Sequence, residues 1–295
     1  MGTPRWSRGA SLAWVAGCYV LAFAVAAITL QFVPPELNTF WKAAIADIAA
    51  TFVVFAFSRA LKCSSMYDAY WSVAPIVIVF YWLFSAEEGV HPIRAGAVLF
   101  LVTWWGVRLT YNWARSWPGL HHTDWRYEIM RERAPKVWFF SDLFGIHLFP
   151  TVEVLAALSG AWVAVSQGTN ALSWIDALAL VVTAGAIVIE TVADQQLVAF
   201  AKVKKPGEII KTGLWAYSRH PNYFGELSFW WGLYLFGLAA NPSYLWTIVG
   251  PIAMSAMFLG VSIPWMDQRS CERRPEYGVH MRRVSGLVPW FPKKA

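Results

Sequence analysis

Apolar runs of about 20 residues recur along the whole chain, and no other feature constrains its fold as tightly. A helix of that length crosses about 30 Å of hydrocarbon, and inside a bilayer the backbone must satisfy its own hydrogen bonds. Eight spans are expected, at roughly 11–33, 43–61, 69–85, 94–116, 141–165, 174–200, 222–239 and 245–266. With 57% hydrophobic residues, 14% charged and 19 Trp in 295 positions, the chain is too apolar for a soluble domain of its size. The alternating pattern of an outer-membrane barrel is absent. The expected fold class is therefore all-α, a polytopic transmembrane helical bundle of about eight helices forming a single domain.

Charge distribution gives the expected orientation. The links Pro34–Lys42, Glu87–Pro92, Gln167–Ser173 and Asn241–Ser243 carry Lys42 as their one basic residue. The opposite side carries Arg5 and Arg8, Arg59 and Lys62, the Arg115–Lys136 loop, the Lys202–Arg219 loop and the C-terminal tail. Basic residues collect in cytoplasmic loops, so both termini and both large loops are expected in the cytoplasm. The same rule accounts for the net charge of +6, and no nucleic-acid partner is expected. Arg5 and Arg8 precede an apolar run without a small-residue cleavage site, so the first helix is expected to be retained. Cys18, Cys63 and Cys271 are scattered, which argues against a disulfide scaffold, a zinc site and a redox dithiol. No internal repeat suggests an inverted-repeat transporter, and a monomer is expected.

The densest polar run between two apolar spans is Lys204–Glu226. A bilayer chain tolerates such a run at the water boundary or around a cavity. Just before it, Glu190 and Asp194 lie one helical turn apart and share a face. They could serve as acid–base groups, cation ligands or acceptors for ribose and amide donors; no His stands near, so a metal site is not expected. Asn222 and Glu226 repeat the spacing, with Trp230 one turn on. In the fourth span Trp104, Arg108, Tyr111, Asn112 and Arg115 fall on one stripe. Arg108 is expected to face the interior and Arg115 to snorkel. Asp68, between Tyr67 and Tyr70, reads either as a helix cap or as a carboxyl facing a cavity. Asp47 is expected near the outer end of the second span. In the loop after the fourth span, Trp125, Tyr127 and Ile129 with Arg126, Arg131 and Arg133 read as an interfacial helix on anionic lipid, with ligand contact by Arg126 as the alternative.

At these residues the chain resembles the steroid 5α-reductase family, in its bacterial branch. Tyr67-Asp68 through Ala74-Pro75 is similar to the family's Gln-Glu segment, and Arg108 to its helix-four arginine. Glu190 and Asp194 resemble an Asn-x-x-x-Asp pair, and Lys204-Lys205-Pro206-Gly207-Glu208 resembles Arg-Lys-Pro-Gly-Glu. Gly213-Leu214 through Tyr217, Asn222 and Gly225-Glu226 resemble Gly-Leu-Phe-x-Tyr…Asn-Phe-x-Gly-Glu, and Pro289-Trp290-Phe291-Pro292 resembles the family's ending. The likeness covers about residues 60–295, a family-like core; residues 1–60 are N-terminal helices, the first an addition to the seven of the best-known members. Arg219-His220-Pro221-x-Tyr223 also resembles isoprenylcysteine carboxyl methyltransferases and sterol reductases. Three departures stand out. Asp68 replaces the family's ketone-binding glutamate. Trp105 replaces a tyrosine, for which Tyr67, Tyr70 and Tyr111 are the candidate substitutes. Ser262, Met266 and Asp267 replace an arginine and histidines, leaving Arg269, Arg273 and Arg274 as alternatives.

The resemblance implies NADPH-dependent reduction of the Δ4 double bond of a 3-oxosteroid or a related lipid enone taken from the bilayer, by a protein of the bacterial inner membrane. It implies Asp68, with Tyr67, Tyr70 or Tyr111, as the group that polarises the ketone, and Trp71 and Trp105 against the substrate. It implies Lys204, Lys205, Arg115, Arg126 and Arg219 on the phosphates, Glu190, Asp194, Asn222 and Glu226 on ribose and carboxamide, and Arg108, Tyr217 and His220 in the same cofactor site. No G-x-G-x-x-G follows a strand, so helix ends and loops would hold the dinucleotide. A methyltransferase using S-adenosylmethionine and a non-enzymatic lipid-binding or transport protein are the alternatives.

Overall fold

The structure, a computed structural model, describes residues 6–293 and contains no strand among them. Arg5, counted above with the basic N-terminus, lies outside the described residues. The helices are α1 (Arg8–Leu30), α2 (Thr39–Leu61), α3 (Tyr70–Phe84, entered through a 3₁₀ turn at Ser64–Tyr67) and α4 (Pro92–Ser116). A short α5 (Trp125–Arg133) follows, then the rod α6 (138–167), α7 (Trp174–Val203), α8 (Pro221–Ala240), α9 (Pro242–Arg273) and a short α10 (Tyr277–Arg283).

Seven of these segments are long and apolar enough to cross a membrane: α1 to α4, Pro135–Ala157 leading through α6, α7 and α9, with the third counted from Ser64. This is a polytopic helical bundle of the kind expected for an integral membrane protein. The span expected at 222–239 exists as α8, whose 20 residues extend about 30 Å. It falls short on apolarity because it carries Asn222, Glu226, tyrosines and tryptophans. Thirteen of its residues are buried, and it packs against α6, α7 and α9, so the rest of the bundle, not lipid, is its main surrounding.

Two long rods share one local feature. Pro150 and Pro264 cannot donate to the helix ladder, and their rings crowd the carbonyl four residues back. Ahead of each the helix widens into π turns, at Ser141–Leu148 and Phe258–Ser262. Small residues then bring helices close. A Cβ at Gly225 would sit 2.8 Å from the Ala186 carbonyl oxygen and 2.8 Å from Glu190 Cβ. The glycine therefore lets α8 lie on α7 so that Glu226 comes beside Glu190.

The bundle has a basic end, where Arg8 bonds the carbonyls of Ala114 and Trp117, and an opposite end, closed by tryptophans. There Trp82 and Trp162 both bond Thr39. Near that end Arg94, 1% exposed, grips Asp176 at 2.6 and 3.0 Å and caps the carbonyls of Asn170 and Ala171. This pair fastens α4 to the start of α7.

Candidate active site

The three central helices α4, α7 and α8 bring their polar residues together in one network. Arg108 reaches Glu190 at 2.5 Å and Asp194 at 3.0 Å. Asn112 donates to Asp194 at 3.1 Å, and Asn222 donates to its other oxygen at 3.4 Å. Glu226 accepts from the indole of Trp105 at 2.9 Å and from that of Trp230 at 2.8 Å. The i, i+4 spacing of Glu190 with Asp194, and of Asn222 with Glu226, puts all four on facing helix surfaces, as the sequence suggested. Arg108 Nε is buried and has no acceptor among the described residues. Three carboxyls surround one buried guanidinium, so the network lacks cations and has acceptor capacity to spare.

A second group stands at the basic end. Tyr127, on α5, donates to Asp68 Oδ1 at 2.6 Å. Burial, and then the Asp68 carboxyl, push the Tyr127 phenol well above its ordinary value, so it keeps its proton. Ser65 accepts from the Asp124 amide at 2.8 Å, and Asp124 caps α5 while holding Arg126 at 2.8 Å. Arg269 lies 3.7 Å above the Trp125 ring, tying α5 to α9. Tyr223, in the first turn of α8, stacks on His220 at 5.3 Å and lies within electrostatic reach of Arg126, Asp124 and Asp194.

The third group is a clasp. Asp267 binds Arg219 at 2.7 and 3.2 Å, His220 at 2.9 Å and the Tyr277 hydroxyl at 2.9 Å. Arg219 also caps the carbonyls of Met281 and Val284 at the end of α10. The tail returns along the same loop, with the Trp290 amide bonded to the Tyr217 carbonyl.

Several expected site residues stand apart from the network. Arg219 and His220 serve the clasp: Asp267, standing where the resemblance has histidines, claims both. Lys204 and Lys205 are exposed on the loop after α7, and among the described residues no ion pair joins them to the network. Tyr217 is exposed, its ring edge-on to Phe291. Neither Tyr67 nor Tyr70 faces the Asp68 carboxyl. Tyr67 pairs with Thr151 at 2.7 Å and Tyr70 donates to Asp47 at 2.7 Å, both toward α2 and α6. Tyr111 is 63% exposed, with Arg115 over its ring. Trp105 is fully buried as a ligand of Glu226, and Trp71 packs on it at 5.9 Å. The fourth-span stripe divides. Arg108 and Asn112 turn inward, while Trp104, Tyr111 and Arg115 lie on the outer edge. Phe100, Thr103, Trp104, Val107, Arg108 and Tyr111 line a side groove of about 520 Å³. Tyr127 and Tyr223 were missed as site residues. In sequence Tyr127 belongs to an aromatic and basic pattern that points to lipid, and only the fold turns it toward Asp68. Among the described residues no group of three or more His, Cys, Asp and Glu side chains is arranged to hold a metal ion.

A protein of Schizosaccharomyces pombe described as uncharacterized is 29% identical over 255 residues, covering 77% of this chain and 73% of its own length. No solved structure matches the chain significantly. The model of the family described as a protein of unknown function, DUF1295, matches residues 54–284, a stretch that holds all three polar groups from Asp68 to Tyr277, and the chain belongs to that family.

Proposed function

We propose that the protein is a membrane reductase that saturates a carbon–carbon double bond conjugated to a ketone in a steroid or another lipid enone, with NADPH as reductant. The observation that carries this reading is the Asp68–Tyr127 pair, a carboxyl held by a proton-bearing phenol at the edge of the apolar bundle. Tyr127 donates to Asp68 Oδ1, and Ser65 lies within hydrogen-bonding reach of the same carboxyl, so a ligand ketone would share Oδ2 with it. In the acid form Oδ2 donates to a ketone oxygen. As electrons move onto that oxygen, the carboxyl and phenol stabilise the growing charge. A proton taken up at the α-carbon completes the saturated ketone. The likeness to steroid 5α-reductases supports the same chemistry, with Asp68 in the glutamate position and Tyr127, from another element, serving where Trp105 cannot. The α4 side groove supports entry from lipid: its volume is within the range of small-molecule sites.

When bound, NADPH supplies the hydride. The acceptor set fits its nicotinamide-ribose half: Asp194, Asn222 and Glu226 suit hydroxyl and carboxamide donors, and the orphaned Arg108 Nε suits an oxygen acceptor. For the phosphates the expected Arg115 and Arg126 stay candidates, and Arg269, stacked on Trp125 of α5, joins them in place of Arg219, which the clasp holds. Orientation with the basic end toward the bacterial cytoplasm gives these cations access to a soluble dinucleotide.

Titration of the detergent-solubilised protein, followed by tryptophan fluorescence, tests the cofactor. Saturable quenching by NADPH and none by S-adenosylmethionine is expected. The reverse would make the protein a methyltransferase, and no response to either would favour a lipid-binding role.

A further inference from the structure

The reductase chemistry makes no use of Asp47. It is expected near the end of α2, yet it is the ninth residue of that helix, about 12 Å below the Thr39 end, and only 7% exposed. A carboxyl at such depth in a membrane bundle is costly and calls for a partner. Among the described residues its one hydrogen bond is the Tyr70 hydroxyl on Oδ1; Oδ2 has no partner. The carboxyl lines a crevice of about 60 Å³ between α1, α2 and α3. Phe23, Ala26, Ala43 and Ala46 form its walls, the alanines leaving the space. Val77, on its rim, is 40% exposed, so the crevice opens on the outer face of the bundle. Asp47 and its α1 and α2 walls precede residue 54, where the family match begins.

We infer that Asp47 and Tyr70 form a second binding site, for the hydroxyl of a lipid that carries one within its hydrocarbon part. Depth selects this ligand. Ordinary phospholipids keep their polar groups at the interface, whereas a hydroxyl in the acyl region has no water to bond and must find a protein acceptor. Oδ2 is such an acceptor, and the apolar walls take the chain. The small volume admits the hydroxyl-bearing segment and leaves the remainder along the outer face of α3.

The test uses the full chain in phosphatidylcholine nanodiscs with two photoactivatable probes. One is methyl 12-hydroxystearate bearing a diazirine, the other the same ester without the hydroxyl. Peptides of α1 and α3 are expected to take up about tenfold more of the hydroxylated probe, the scale of one buried hydrogen bond to a carboxyl. Asp47→Leu should bring the two probes to parity, and Ala26→Phe, which fills the crevice and spares the carboxyl, should do the same. Equal labelling in the unmodified protein overturns the site. So does a hydroxyl preference that survives Ala26→Phe, the variant that decides should Asp47→Leu not fold. The readout is labelling, so it is independent of any reductase activity.

Discussion

The Tyr127 hydroxyl meets Asp68 at 2.6 Å, joining the short helix α5 to the turn that opens α3. The two residues lie 59 positions apart, on segments with unrelated patterns. If they act as one polarising unit, Asp68→Asn and Tyr127→Phe should each lower kcat for enone reduction by about 10²–10³. The double variant should be little worse than either. NADPH affinity should stay unchanged, as measured by fluorescence titration.

Arg108 holds Glu190 and Asp194. Arg108→Met strands both carboxyls and should cost about 3–5 kcal/mol of stability, seen as a lower unfolding temperature in detergent. Asp194→Asn keeps an acceptor for Arg108 and Asn112 but sets its NH2 against the Asn222 amide, a smaller loss than stranding two carboxyls, and should be milder for stability. Glu226→Gln should weaken NADPH binding more than it alters discrimination among enones.

Arg94 and Asp176 provide a stability test away from any ligand. Arg94→Met alone should cost about 3–5 kcal/mol, because Asp176 is left buried without its partner. Arg94→Met with Asp176→Leu should recover only part of that loss, because the Asn170 and Ala171 carbonyls and the Ser173 cap of α7 stay unpartnered. Chemical denaturation in mixed micelles measures both.

Much of this organisation was legible in the sequence. Helix count and ends followed from the length of the apolar runs, and the three-helix network followed from i, i+4 carboxyl and amide pairs, since both depend on local spacing. The clasp did not: Asp267 looks like a missing histidine until α9 and the 218–220 loop are seen to meet. Tyr67 and Tyr70 flank Asp68 in sequence, but they lie in and just after a 3₁₀ turn, and their side chains leave in other directions. α8, expected at 222–239, is less apolar than the other spans for the reason that makes it central: a helix wrapped by protein can carry polar and aromatic side chains.

The tail should be pH-sensitive. Burial, then Lys211 and Arg219, hold His280 below the ordinary histidine value near 6.5. The folded state thus binds fewer protons than the unfolded one. The contribution of His280 is full above that value and is lost as pH falls through it toward the lowered folded value. Limited proteolysis within α10 should be faster at pH 5.5 than at pH 7.5, and His280→Gln should flatten the difference.

The central proposition is tested most directly by NADPH oxidation in nanodiscs with a Δ4-3-oxosteroid or another lipid enone, comparing the unmodified protein with Asp68→Asn. Enone-dependent loss of NADPH absorbance with formation of the saturated ketone, reduced at least about 100-fold in the variant, is the expected result. Equal turnover by both proteins, or NADPH binding without enone reduction by either, would contradict it.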